Sequence, residues 1–117
     1  MDKMIQEKLE SAGVDLPGAL ERFLNNETLL LQFLKKFSQD TNYQLFREAM
    51  EQENFEEAFK AVHNLKGLCG NLSIMPLYEA VCVEVELLRK GDHEAAAEYA
   101  PNLVERYDKA VDILSSL

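Results

Sequence analysis

The chain is short of the residues that interrupt helices. It has only 5 glycines and 3 prolines in 117 residues, and strand-type alternation is scarce, which argues against a β-rich fold. Positive charge is also scarce: 12 Lys and Arg stand against 21 Asp and Glu, for a net charge of −9. A surface this acidic repels phosphate backbones and anionic lipid, so nucleic acid and membrane surfaces are not the expected partners. No run of about 18 apolar residues exists to span a bilayer. The segment Met1–Lys8 is charged and lacks a signal-peptide hydrophobic region, so a cytoplasmic location is expected. Cysteine is limited to Cys69 and Cys82, which read as two buried free thiols in a reducing compartment. No Gly-x-x-x-x-Gly-Lys-Ser/Thr loop is present, so neither ATP binding nor self-phosphorylation is expected.

What the chain has is apolar residues, 47% of the total, repeated at three- and four-residue spacing. That is the period of amphipathic helices. A first helix is expected over about residues 2–12, stopping at Gly13. A short one over 18–24 is introduced by Asp15 and Pro17. Asn26 caps a long helix whose apolar stripe runs from Leu29 to Met50, with a bend near 38–41. Asn54, with Glu57 three residues on, resembles a capping box at the start of a helix over 55–72. Pro76 opens a helix ending at Gly91, and Asp92 caps the last one, which Pro101 should kink or split.

Four long helices joined by two- to five-residue connections must run antiparallel to their neighbours. The predicted fold is therefore all-α: an up-down four-helix bundle with one or two short N-terminal helices packed across one end, in a single domain over 1–117. Such a bundle serves many functions, so function must come from side chains.

The informative segment is Ala61-Val62-His63-Asn64-Leu65-Lys66-Gly67-Leu68-Cys69-Gly70-Asn71-Leu72. At about 100° per residue, Phe55, Ala58, Phe59, Val62, Leu65, Cys69 and Leu72 form the core face. His63, Lys66, Gly67 and Gly70 form a second stripe at its edge. Each glycine inside a helix costs about 1 kcal/mol relative to alanine. Two of them one and two turns beyond a histidine suggest a surface kept bare, where the imidazole stands proud and a partner's backbone can approach. Neutral imidazole is a competent nucleophile at cytoplasmic pH. Lys66, one turn away, supplies a compact positive charge suited to phosphoryl oxygens.

A lone helical histidine is ordinarily a partly buried surface residue, and a lone helical glycine only eases helix packing; it is their combination with Lys66 on one stripe that points to chemistry. His93 reads as a solvated first-turn residue. His63, Cys69 and Cys82 lack the paired spacing of a zinc site, and the acidic residues read as solvent-facing.

The run His63-Asn64-Leu65-Lys66-Gly67, followed by Gly70-Asn71-Leu72, resembles the signature of histidine phosphotransfer (HPt) domains. Gly13-Val14-Asp15 with Ala19-Leu20-Glu21-Arg22-Phe23, Leu30–Phe37, and Leu77-Tyr78-Glu79-Ala80 on to Glu86-Leu87 extend the resemblance to nearly the whole chain. Where that family often has glycine and then alanine after the motif leucine, this chain has Ser73 and Ile74. The resemblance implies that His63 accepts a phosphoryl group from the phosphoaspartate of a response-regulator receiver domain and passes it to another receiver. Lys66 would assist. No cofactor is expected on this chain, the Mg²⁺ coming with the receiver, and a hybrid sensor histidine kinase is a further expected partner. The chain would be a carrier rather than an enzyme, and a monomer. Docking is expected around Gly67 and Gly70, rimmed by Glu56 and Lys60.

Two rivals stand beside this reading. One is a pure interaction module that binds a receiver or kinase without carrying phosphate; intact His63 and Lys66 argue against it. The other is a phosphotransfer piece of a larger hybrid or chemotaxis-type kinase; the Met1 start and complete bundle favour a freestanding protein.

Overall fold

A computed structural model describes all 117 residues. It is all-helical: α1 (Lys3–Ser11), α2 (Leu16–Arg22), α3 (Glu27–Lys36), a single 3₁₀ turn (Phe37–Gln39), α4 (Asn42–Glu51), α5 (Phe55–Asn71), α6 (Met75–Arg89) and α7 (His93–Leu114). The caps expected at Asp15, Asn26, Asn54 and Asp92 form, and Asp2 adds one that was not expected. The side chains of Asp2, Asp15, Asn26, Asn54 and Asp92 each accept a backbone N–H from the first turn of the helix they precede, satisfying donors that have no partner within the helix. The capping box at Asn54 forms by half: Asn54 accepts from the Glu57 N–H at 3.3 Å, but the Glu57 carboxylate pairs with Lys60 instead.

α4, α5, α6 and α7 make the bundle, with α4 packed on α5, α5 on α6 and α6 on α7. The three connections between them share one turn. In each, one residue lies in the left-handed region: Glu53 at φ 56°, Ser73 at φ 54° and Gly91 at φ 76°. In each, the next residue's N–H reaches back five positions, Asn54 to Ala49 O, Ile74 to Cys69 O and Asp92 to Leu87 O. These bonds close the helix C-terminus while the chain reverses. Ser73 is the left-handed residue of the α5–α6 turn.

The bundle's fourth edge is closed by aromatic rings. Tyr43 of α4 stacks on Tyr107 of α7 at 3.5 Å between centroids, and Phe37 of the 3₁₀ turn lies 5.5 Å from the same ring. The long helix expected over 27–50 is broken here. Phe37 turns inward and is buried, and the Asp40 carboxylate accepts from the backbone and side-chain N–H groups of Asn42, restarting the chain as α4. The stripe Leu30, Leu34, Phe37 is buried throughout, so apolar spacing continues across a break that backbone geometry makes. Pro101 does not split the last helix. α7 runs unbroken through it, and Ala97, whose carbonyl Pro101 cannot serve, is exposed, so water can take the missing donor's place.

The N-terminal segment closes the end of the bundle where α5 gives way to α6. α1 packs on α7. The following residues pair with the α5–α6 turn: the Asp15 N–H donates to Ser73 O at 2.8 Å and the Met75 N–H to Gly13 O at 3.0 Å. Gly13 is required there twice over. Its φ is +84°, and a Cβ would fall 2.4 Å from Pro76 Cδ. Leu9, Ala12, Val14, Leu16 and Ala19 join the same hydrophobic core as the bundle helices. α2, whose N-terminus is fixed by this junction, packs on α1 and α3.

Candidate functional site

α5 folds with Ala58, Ala61, Val62, Leu65 and Cys69 buried against its neighbours. Phe55 and Phe59, expected in the core face, are only half-buried and lie at its border. This orientation leaves His63 and Gly67 exposed and Lys66 half-buried. The His63 ring is flanked by the Phe59 ring at 5.8 Å between centroids, with 41° between planes. Phe59 in turn lies beneath the Arg89 guanidinium at 5.6 Å. The imidazole therefore rests one edge on an aromatic shelf and faces solvent on the other.

His63, Lys66, Gly67 and Gly70 line one shallow depression of about 300 Å³, together with Asn71, Tyr78 and Arg22. The two glycines do different things there. A Cβ at Gly67 would meet nothing within 4 Å, so this position is open to anything that approaches His63. A Cβ at Gly70 would lie 3.1 Å from Cε1 of Tyr78. The bare surface expected at Gly70 is thus occupied by a ring from α6, and this glycine admits a neighbouring helix's side chain within the fold.

Glu56 and Lys60 do not rim this depression. Lys60 is paired with Glu56 and Glu57 on the solvent face of α5 and lines a separate groove between α4 and α5. Glu56 borders another hollow with Phe55, Leu88 and His93. Both belong to the N-terminal half of α5, one and two turns before His63. His93 is exposed, yet its ring stacks on Phe55 at 4.0 Å.

Three features were not anticipated from the sequence. Arg22, the last residue of α2, reaches the depression from a part of the chain 41 positions before His63. Its charge is felt by the Tyr78 phenol. The neighbouring Cys82 side chain raises that phenol's pKa, and Arg22 works against the shift. Glu84, expected on a solvent face, is wholly buried on α6 among Leu77, Val81, Val85 and Leu88, with neither carboxylate oxygen hydrogen-bonded. Burial pushes its pKa up to about 7. Spacing could have revealed it, because position 84 falls three residues after Val81 and four before Leu88. Cys82 is only half-buried, whereas Cys69 is buried and its thiol pKa is pushed far up by desolvation. No three His, Cys, Asp or Glu side chains are grouped so as to hold a metal ion, and no helix is long and apolar enough to cross a membrane.

Chemically, the depression offers a solvent-facing imidazole, two cations and no carboxylate, in a chain that otherwise carries a large acidic excess. Neither Lys66 nor Arg22 takes part in any of the chain's ion pairs. Residues 28–114 match the family model described as Hpt domain. No curated protein and no solved structure matches the chain.

Proposed function

Because the chain belongs to the Hpt domain family, whose members carry phosphoryl groups in two-component signalling and interact with receiver domains, we propose that His63 is its phosphoacceptor within a multistep phosphorelay. The observation that carries this is the exposed His63 imidazole beside Lys66 and above the open surface at Gly67.

In the forward step a lone pair on a ring nitrogen of His63 forms the P–N bond. The P–O bond to the donor receiver's aspartate breaks, and the carboxylate leaves as an anion. The proton on the other ring nitrogen stays, so the phosphorylated ring is cationic and a good leaving group. The reverse step, onto a second receiver's aspartate, restores the neutral ring. Lys66 neutralises charge on the phosphoryl oxygens throughout, by positioning and electrostatics rather than by covalent chemistry. The Mg²⁺ and the reacting carboxylate belong to the receiver. Gly67 gives the receiver's backbone room to come down on α5, and the whole chain, α1 and α2 included, acts as one unit and as a monomer. It works as a carrier in the cytoplasm, drawing phosphate from a receiver that is free or part of a hybrid sensor kinase.

Incubation with a phosphorylated receiver from the same organism tests the assignment. Wild-type protein should gain acid-labile phosphate, and His63→Gln should gain none while keeping its helical circular dichroism. Equal labelling of the variant would remove His63 from the role. Absence of labelling in both, with binding to the receiver retained, would favour the rival reading as a non-carrying interaction module.

A further inference from the structure

We propose that Arg22 is a second binding group for the phosphoryl moiety carried on His63, contributed by the N-terminal α2 and lying outside the span that matches the family. The inference rests on His63 being the phosphoacceptor.

A phosphoryl group brings close to two negative charges at neutral pH onto a surface whose net charge is already −9. One lysine leaves such a group under-neutralised. Every other cation near the middle of α5 is engaged: Lys60 with Glu56 and Glu57, and Arg89 with Glu86 and the Phe59 face. Arg22 shares the depression with His63 and Lys66, has no carboxylate partner, and is exposed. The Tyr78 ring, packed into the space at Gly70, lines the same depression. The two cations also differ in kind. Lys66 is a point charge on the same helix, one turn from His63, whereas the planar guanidinium can hold two phosphoryl oxygens at once.

The junction of residues 13–15 with 73–75 sets this arrangement, since it fixes where α2 begins relative to the end of α5. The short N-terminal helices thus do more than cover the end of the bundle. They carry a cation to the site that the motif helix alone does not provide.

Phosphoramidate offers a donor that needs no receiver: its P–N bond breaks, ammonia leaves, and a new P–N bond forms at His63. Wild type, Arg22→Gln, Arg22→Lys and Lys66→Ala are phosphorylated in this way, and the phosphoryl group is titrated by ³¹P NMR. A nearby cation favours the more negative form and lowers the titration midpoint. Arg22→Gln should raise that midpoint by several tenths of a pH unit, Arg22→Lys by less, and transfer to a receiver should slow about tenfold in Arg22→Gln, as expected for loss of one charge-assisted hydrogen bond. A midpoint unchanged in Arg22→Gln, with transfer slowed, would overturn the proposal and make Arg22 a contact for the receiver. An unchanged midpoint and unchanged transfer would overturn it outright. If wild type itself takes no phosphate, the assignment of His63 fails first. Should Arg22→Gln lose its helical circular dichroism, the Arg22→Lys midpoint decides: a value identical to wild type counts against the paired-oxygen contact.

Discussion

Glu84 gives the structure a pH dependence that can be worked out in advance. Its carboxyl is fully buried, both oxygens are without hydrogen bonds, and its pKa moves from an ordinary 4.5 to about 7 because burial penalises the charged form. Below pH 4.5 the group is protonated in folded and unfolded chains alike, and it costs nothing electrostatically. Between 4.5 and 7 the folded chain holds a proton that the unfolded chain has released, so stability falls as pH rises, by up to about 1.4 kcal/mol per pH unit. Above 7 both forms are ionised and the full cost is present. A displacement of this size corresponds to about 3 kcal/mol, a large fraction of the 5–15 kcal/mol typical of a domain. Urea unfolding of wild type and Glu84→Gln between pH 4.5 and 8.5 isolates the effect, because all other titrations are common to both proteins. The stability of Glu84→Gln relative to wild type should climb by about 3 kcal/mol across that range. A difference that stays flat with pH would show that Glu84 ionises normally, and the burial argument would be wrong.

The remaining predictions concern α5 and its turns. Gly67→Ala should stabilise the protein by about 0.5–1 kcal/mol, since its Cβ meets nothing and the helix gains a better former; thermal unfolding reads this out. Gly70→Ala should gain less or lose stability, because the Tyr78 ring must move aside. Gly67→Leu should fold normally yet slow transfer from a receiver by at least tenfold; unchanged transfer would mean the receiver does not approach there. Lys66→Ala should slow transfer without abolishing it, as measured by rapid-quench kinetics. Glu53→Gly should raise stability by about 0.5–1 kcal/mol in urea unfolding, by relieving a left-handed backbone at an exposed turn.

Much of this architecture is legible in the sequence, and the reasons are local. The caps at Asp15, Asn26, Asn54 and Asp92 are decided by residues within one turn, as is the stop at Gly91. The side of α5 that faces out follows from a helical period that needs no tertiary information. What was missed depends on contacts between distant segments or on a local pattern overruled. The bend expected near 38–41 is a full break, with a 3₁₀ turn at Phe37–Gln39, and its extent hides beneath an uninterrupted apolar stripe. It is made by Phe37 turning in on Tyr107 and by Asp40 capping Asn42. The turns at Glu53 and Ser73 carry no glycine to announce a left-handed residue. Gly70 reads as bare only while Tyr78 is out of view, and Arg22 joins the site through the tertiary placement of α2, which the pairing of residues 13–15 with the α5–α6 turn helps to set. Glu84 is a different case: its apolar spacing was visible, but a charged residue type argued for solvent, and the fold buries it nonetheless.

The central claim is that phosphate resides on one imidazole of α5. The most direct measurement is to phosphorylate the intact protein from a receiver, digest it under mildly alkaline conditions that preserve phosphohistidine, and map the modification by mass spectrometry. The account predicts a single modified residue, His63. Phosphate found on His93, or on a carboxylate or hydroxyl elsewhere while His63 stays unmodified, would contradict it.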